Sequence, residues 1–303
     1  MTYDPIHGVI VPTVTPMTDD GAINPDIVKP LVDYLIAQGV AGLFPLGTTG
    51  EGPLLTTSER KTIAEATVRA TDGRVPVIIH TGAITTTETI DLTAHAKSIG
   101  ADAVAVVAPY YFGHTDAGLM AHFEAVLAAV PDMPMYLYNF PGVSNNTLSR
   151  DVVTRLAKRH EMVVGLKDSS GDLQTLFASR HLHDGAFNTA VGPDELILAA
   201  VSMGVNASVS GHANLVPEVV VPLYQAAAVG NREDAQAYQR QLNQISNVLA
   251  SDVWLPMMKA ILNQRGLPVG HVRRPLLAPT DDSIQTVLRQ LSALRIDLSP
   301  VAG

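Results

Sequence analysis

Short runs of β-branched and aliphatic residues alternate with longer amphipathic stretches along this chain, and no other feature restricts its fold so strongly. Eight runs have the length and apolar character of buried strands: residues 8–15, 42–46, 75–80, 103–108, 135–138, 163–167, 187–191 and 207–210. Helix-like stretches lie between them at 25–38, 58–71, 87–99, 116–129, 149–158, 172–179 and 194–203. Several runs are apolar almost throughout, as strands are when helices cover both faces of a parallel sheet. Eight such units predict an α/β protein, a closed (β/α)8 TIM barrel, with an open doubly wound sheet as the competing arrangement. Hydroxyls at Thr57-Ser58 precede an apolar run as at a helix start, and Gly39, Gly100 and Gly204 follow helical stretches as stop signals.

Further helical patterns follow the eighth run, at 216–229, 232–250, 255–264 and 281–293, with an irregular Pro/Gly-rich segment at 266–279. No linker-like composition precedes them. The expected organisation is therefore a barrel over residues 1–230 and a C-terminal helical extension over 231–303 packed on its flank. A length of 303 residues suits one barrel with a sizeable core.

Charge and composition narrow the partners. The balance is 20 basic against 29 acidic residues with no basic block, which argues against nucleic-acid or anionic-membrane partners. The chain has no cysteine, so thiol chemistry and thiolate metal sites are excluded. No apolar stretch reaches the roughly 18 residues of a membrane span, and the first 25 residues lack a signal-like pattern; the expectation is a soluble, cytoplasmic protein. His181 and His183 have no third ligand near them in sequence and no His-Glu-x-x-His spacing occurs, so no metal is expected.

One of the six lysines stands apart. Lys167 closes the run Met162-Val163-Val164-Gly165-Leu166 and is followed by Asp168-Ser169-Ser170-Gly171-Asp172, where a buried strand opens into a loop. The other five fall in helix-like stretches. Desolvation there favours the neutral amine, which can attack a ketone to form a Schiff base; a salt-bridged core lysine is the alternative. In a barrel, strand C-termini converge on one rim, so the segments that close the other strands are its neighbours. Strand two ends in Gly47-Thr48-Thr49-Gly50-Glu51-Gly52, either a carboxylate cradle of hydroxyls and amides or an ordinary glycine-rich turn. It lacks the Gly-Lys-Ser/Thr ending of a phosphate loop. Strand five ends in Tyr136-Leu137-Tyr138-Asn139-Phe140-Pro141-Gly142; Tyr138 is a candidate proton relay, and Tyr136 a barrel-filling side chain. Pro109-Tyr110-Tyr111 brings two more aromatics to the same rim.

Taken together, Val14-Thr15-Pro16, the Gly-Thr-Thr-Gly-Glu turn, Pro109-Tyr110-Tyr111, Tyr138-Asn139-Phe140-Pro141 and Lys167 resemble, in order and over roughly residues 8–270, the dihydrodipicolinate synthase/N-acetylneuraminate lyase superfamily of class I pyruvate aldolases. The resemblance implies a Schiff base on Lys167, a proton-relay phenol at Tyr138 and carboxylate binding by Thr48 and Thr49. It implies a relay from Thr48 to Tyr111 of a neighbouring subunit, hence a homotetramer built as a dimer of dimers. It implies no cofactor and, as ligands, pyruvate with an aldehyde or 2-oxo acid.

Subgroup features differ. Val143 stands where the synthases carry an arginine that clamps the second carboxylate of aspartate semialdehyde, and valine cannot make that bidentate contact. Gly192-Pro193-Asp194-Glu195 resembles the Gly-x-Asp-Glu of N-acetylneuraminate lyases, whose acids bind substrate hydroxyls, although acids also favour a helix start. Ser169 aligns with a hydroxyl residue serving the same polyol, and Val209 on strand eight joins the substrate-binding set. His212, in Ser210-Gly211-His212-Ala213-Asn214, matches neither subgroup and either faces the substrate pocket or has no role. The expected function is reversible cleavage of a 2-oxo-3-deoxy sugar acid to pyruvate and an aldehyde. Dihydrodipicolinate synthase, a keto-deoxy sugar acid dehydratase and a non-catalytic 2-oxo acid sensor are the alternatives.

Overall fold

The structure, a computed structural model, describes residues 3–249 and 254–301. Eight parallel strands form one sheet: β1 (Gly8–Val11), β2 (Gly42–Leu43), β3 (Ile78–His80), β4 (Ala103–Val107), β5 (Met135–Asn139), β6 (Val163–Asp168), β7 (Asn188–Val191) and β8 (Ala207–Val209). Their order, β2-β1-β8-β7-β6-β5-β4-β3, leaves β2 and β3 as neighbours across a seam. A single parallel bridge, Leu43 to Val77, and the bond from His80 N to Pro45 O join that seam and close the TIM barrel.

A strand lies on every predicted run, most of them within one residue of the expected ends, but β1, β2 and β3 are each at least three residues shorter than expected. Pro12 follows β1, Pro45 follows β2 and Pro76 precedes β3. Proline has no N–H to give a ladder, so pairing stops beside each. Alternation along the strands sorts side chains into two cores. Ile10, Phe44, Ile78, Ala105, Tyr136 and Tyr138 fill the barrel, while Val104, Val106, Met135 and Leu137 face the surrounding helices. Burying one such leucine contributes about 2 kcal/mol.

The outer layer comprises α1 (Val28–Ala37), α2 (Thr57–Thr71), α3 (Thr86–Ser98), α4 (Asp116–Ala129), the single turn α5 (Pro141–Ser144), α6 (Arg150–Arg159), α7 (Leu173–Ser179), α8 (Ile197–Ser202) and α9 (Pro217–Ala228). The start of α2 lies one residue earlier than the predicted hydroxyls: Thr56 accepts from Glu59 N, and Glu59 accepts from Thr56 N, a capping box. After β8 and α9 come α10 (Arg232–Leu249), α11 (Trp254–Gln264) and α12 (Asp281–Ala293). The predicted helix 232–250 ends in Ala250, which lies outside the described residues, as do both ends of the 1–230 and 231–303 division at residues 1 and 303. Helix α10 buries Ala235, Gln239, Leu242, Ile245 and Leu249, one stripe at helical spacing, and lies against α8 and α9. Among the described residues no helix is long and apolar enough to cross a membrane.

Candidate active site

Register explains why Lys167 and Tyr138 meet. On β5 and β6 the two are paired residues, so their side chains leave the sheet on the same face, into the barrel mouth. Lys167 is 5% exposed, and its Nζ lies 4.0 Å from the ring centroid of Tyr138 and 4.3 Å from that of Phe44. Among the described residues this amine has no ion pair and no hydrogen bond; what surrounds it is aromatic face. The neighbouring Asp168 points the other way. Its carboxylate accepts from Asn139 Nδ2 at 2.8 Å and from Ser170 N at 2.7 Å, and Asn139 Oδ1 accepts from Leu148 N at 2.9 Å. These bonds fix the ends of β5 and β6 that carry the phenol and the amine.

The turn after β2 folds tightly. Leu46 and Glu51 both have left-handed backbone, and Gly52 N donates to Gly47 O at 3.1 Å. A Cβ on Gly52 would lie 1.9 Å from Leu46 O, so only glycine fits there. Glu51 is buried beneath the turn. Its carboxylate takes Lys259 Nζ of α11 at 3.0 Å and Arg273 N at 2.7 Å. Lys259 Nζ also donates to Thr15 O at 2.9 Å and His271 O at 2.5 Å. The loop holding Thr48 and Thr49 is thus bolted down by residues more than 200 positions away in sequence. Sequence reasoning had not separated Lys259 from the ordinary helix lysines; the structure buries it more deeply than Lys167.

A cleft of about 490 Å³ at the C-terminal rim is lined by Thr48, Thr49, Tyr138, Lys167, Ser169, Gly192, Asp194, Glu195 and Val209, together with Pro12, Phe140, Val143, His212 and Trp254. Residues from the ends of six strands therefore converge on one space. Gly192 is packed so closely on Ser169 that a Cβ would sit 2.1 Å from its Oγ. Tyr111 does not join them. It is 77% exposed, has φ of 82°, and stacks edge-on against the equally outward Phe112 at 5.0 Å. Asn146 holds this loop: its Nδ2 donates to Pro109 O and Phe112 O at 2.8 and 2.7 Å, and its Oδ1 accepts from His114 N at 2.6 Å.

A second, largely apolar cavity of about 320 Å³ adjoins the first and shares Thr48, Tyr138, Val143 and Trp254 with it. His80 lines it, buried at the end of β3, with its ring 5.8 Å from Tyr138. Burial first, then the positive charges of Arg60 and Lys167, hold His80 well below the ordinary imidazole range, so it is neutral. Its Nε2 has no partner among the described residues. His80 and Phe44 escaped sequence reasoning, although His80 carries the same signal as Lys167, a titratable side chain closing an apolar run.

On the opposite side of the lysine cleft, His212 Nδ1 lies 2.5 Å from Asp194 Oδ2. Burial works against the imidazolium, but Asp194 and then Glu195 outweigh it and raise its pKa above the ordinary value. Tyr136 fills the barrel, donating to Asn188 Oδ1 at 2.6 Å, and burial pushes its pKa up. Among the described residues no cluster of three or more His, Asp or Glu forms a metal site.

Comparison with known proteins agrees with this geometry. The model of the dihydrodipicolinate synthetase family matches residues 5–294. The 4-hydroxy-tetrahydrodipicolinate synthase of Jannaschia sp. is 35% identical over 291 residues, covering 95% of this chain and 99% of that protein. The crystal structure of YagE, a prophage protein of the dihydrodipicolinic acid synthase family from E. coli K12 in complex with pyruvate, superposes with a TM-score of 0.90 at 32% identity, covering 96% of this chain and 99% of that one. A catalytic lysine mutant of the Ruminococcus gnavus sialic acid aldolase also reaches a TM-score of 0.90, at 25% identity and covering 96% and 97% of the two chains.

Proposed function

The chain belongs to the dihydrodipicolinate synthetase family and is an aldolase/lyase of that family; from this premise we propose that it cleaves a 2-oxo-3-deoxy sugar acid reversibly to pyruvate and an aldehyde, through a Schiff base on Lys167. One observation carries the assignment of the nucleophile: the Lys167 amine sits between two aromatic faces, without a carboxylate partner, in a cleft shared with Thr48, Thr49 and Tyr138.

The chemistry follows from these groups. Thr48 and Thr49 bind the substrate carboxylate with hydroxyls and amides, which brings C2 to Lys167. Nζ adds to the C2 carbonyl and water leaves, forming a protonated imine. Tyr138 takes the proton of the C4 hydroxyl as the C3–C4 bond breaks; the bonding pair moves into the imine to give an enamine, and the aldehyde departs. Protonation of C3 and hydrolysis then release pyruvate and restore the amine. The iminium is the electron sink, so the scheme requires no metal or cofactor. Ser169, Gly192, Asp194, Glu195 and Val209 form the part of the cleft available to the rest of the substrate.

Exposure of Tyr111 supports the further proposal that it serves a neighbouring protomer, as a dimer of dimers in the cytoplasm would allow. A second reading, condensation of pyruvate with aspartate semialdehyde, is favoured by the synthase relative. Val143 weighs against it, since it stands half-exposed at the lip of both cavities and offers no cation.

Borohydride reduction in the presence of pyruvate should add one pyruvate-derived group, on Lys167, detected by peptide mass. An intact protein that gains no adduct would falsify the assignment. An aldehyde panel including aspartate semialdehyde, followed by product analysis, then orders the two readings; faster turnover of the semialdehyde would reverse our order.

A further inference from the structure

This inference rests on the aldolase reading and concerns the aldehyde half of the substrate. The turns leaving β7 and β8 bring Asp194 and His212 together at 2.5 Å. Helix α10 fixes both from behind: Gln239 Nε2 donates to Asp194 O at 3.0 Å, and Ser246 Oγ is 3.4 Å from His212 Nε2. Asp194 is buried, and its second oxygen has no partner among the described residues. The carboxylate is thus committed through one oxygen to the imidazole, which places a ring proton on Nδ1. In the imidazolium Nε2 also carries a proton; the contact with Ser246 Oγ at 3.4 Å is long and weak, so a substrate hydroxyl at shorter range can displace it. The imidazole is 16% exposed and lines the Lys167 cleft.

We propose that His212, held by Asp194, is the specificity-determining residue for the aldehyde, its Nε2–H donating to a hydroxyl oxygen of a neutral hydroxyaldehyde. Charge selects that class. Asp194 and Glu195 place two carboxylates at this end of the cleft against one imidazolium, and Val143 supplies no guanidinium. A carboxylate-bearing aldehyde meets net negative charge there. A neutral hydroxyl can accept from His212 and donate to Glu195.

Among the described residues, the charged groups around the imidazole are Asp194 and Glu195 from the turn after β7 and Lys167 in the same cleft; α10 contributes Ser246 and Gln239, and α11 contributes Trp254, none of which titrates. Because its carboxylate neighbours raise the imidazole's pKa, the second ring proton is held to higher pH than on an ordinary histidine and is lost as pH rises through that raised value.

The test compares kcat/KM for glyceraldehyde with that for propanal, which lacks the hydroxyls, in condensation with pyruvate from about pH 6 to about pH 9, where imidazoles titrate. Borohydride trapping of pyruvate serves as the control for an intact site. The wild type should prefer glyceraldehyde by about tenfold or more, with the preference falling as pH rises. His212→Asn keeps an amide for Asp194 but does not reach the Nε2 position; it should lose about tenfold of the preference while trapping pyruvate normally. His212→Gln, which places an amide N–H near that position, should keep the preference and lose its pH dependence. Unchanged preference and pH profile in His212→Asn, with normal trapping, would overturn the proposal alone. Absence of trapping in the wild type would overturn the aldolase reading, and this proposal with it.

Discussion

Lys167 and Lys259 are both buried near the same turn, and their surroundings differ in kind. An ammonium has three N–H donors, and Lys259 spends them on three acceptors: Glu51, Thr15 O and His271 O. Burial lowers its pKa, but the paired carboxylate opposes that, and the group acts as a structural cation. Lys167 faces the rings of Phe44 and Tyr138 and has no acceptor to surrender before it can act as a nucleophile. Burial alone therefore does not identify a reactive lysine. Its partners do.

The largest test of this contrast is Lys167→Ala, which should abolish the pyruvate adduct and lower turnover by at least about 10³-fold. Its urea unfolding midpoint should shift little, because no ion pair is lost. Lys259→Met should behave in the opposite way: it strands Glu51 and should cost about 3–5 kcal/mol in urea unfolding, while Lys167 still forms its adduct in the folded fraction. Adding Glu51→Gln should recover part of that loss, which would show that the stranded charge, and not lost packing, dominates.

Phe44→Leu should act more modestly. It removes one aromatic face from Lys167, and adduct formation should slow severalfold, with a stability change under about 1.5 kcal/mol. An unchanged trapping rate would mean that Tyr138 alone shapes the amine's environment.

The smallest effect is titratable and belongs to the Lys259 side. Arg273 forms a two-armed pair with Glu59 and holds its carboxyl down to about 2, from an ordinary value of 4.5. A depressed carboxyl stabilises the fold above its unfolded value and loses that contribution as pH falls from about 4.5 to about 2. The side chain is partly solvated, so the contribution is about 1 kcal/mol. Arg273→Gln should flatten this part of the acid-unfolding profile without changing the pyruvate adduct at neutral pH.

The sequence made the barrel legible because each strand is a local event, an apolar run bounded by turn residues. What it concealed at β1, β2 and β3 was their length, although prolines 12, 45 and 76 carried that information. The lysine cleft was legible for a related reason: barrel topology gathers strand ends, so Lys167, Tyr138, Thr48 and Thr49 could be grouped without knowing any distance. The Glu51–Lys259 pair joins positions 208 apart and leaves no local trace. The His212–Asp194 contact depends on how two separate turns fold, so His212 could be named from its sequence but not given a partner. Exposure at Tyr111 is likewise a matter of backbone conformation in a loop with no periodic signal.

The seam between β2 and β3 has a consequence for how such a catalyst changes over time. Strand β2 is two residues long and is tied to β3 by one bridge, yet it delivers both threonines to the cleft. Their position is set less by the sheet than by Lys259 and the segment at 271–273, which touch Glu51 from outside the barrel. If the threonines bind the substrate carboxylate as proposed, substitutions in those distant C-terminal residues can retune affinity for it while every side chain in the cleft stays the same. The extension gives this enzyme a route to adapt its ligand binding that avoids the residues carrying the chemistry.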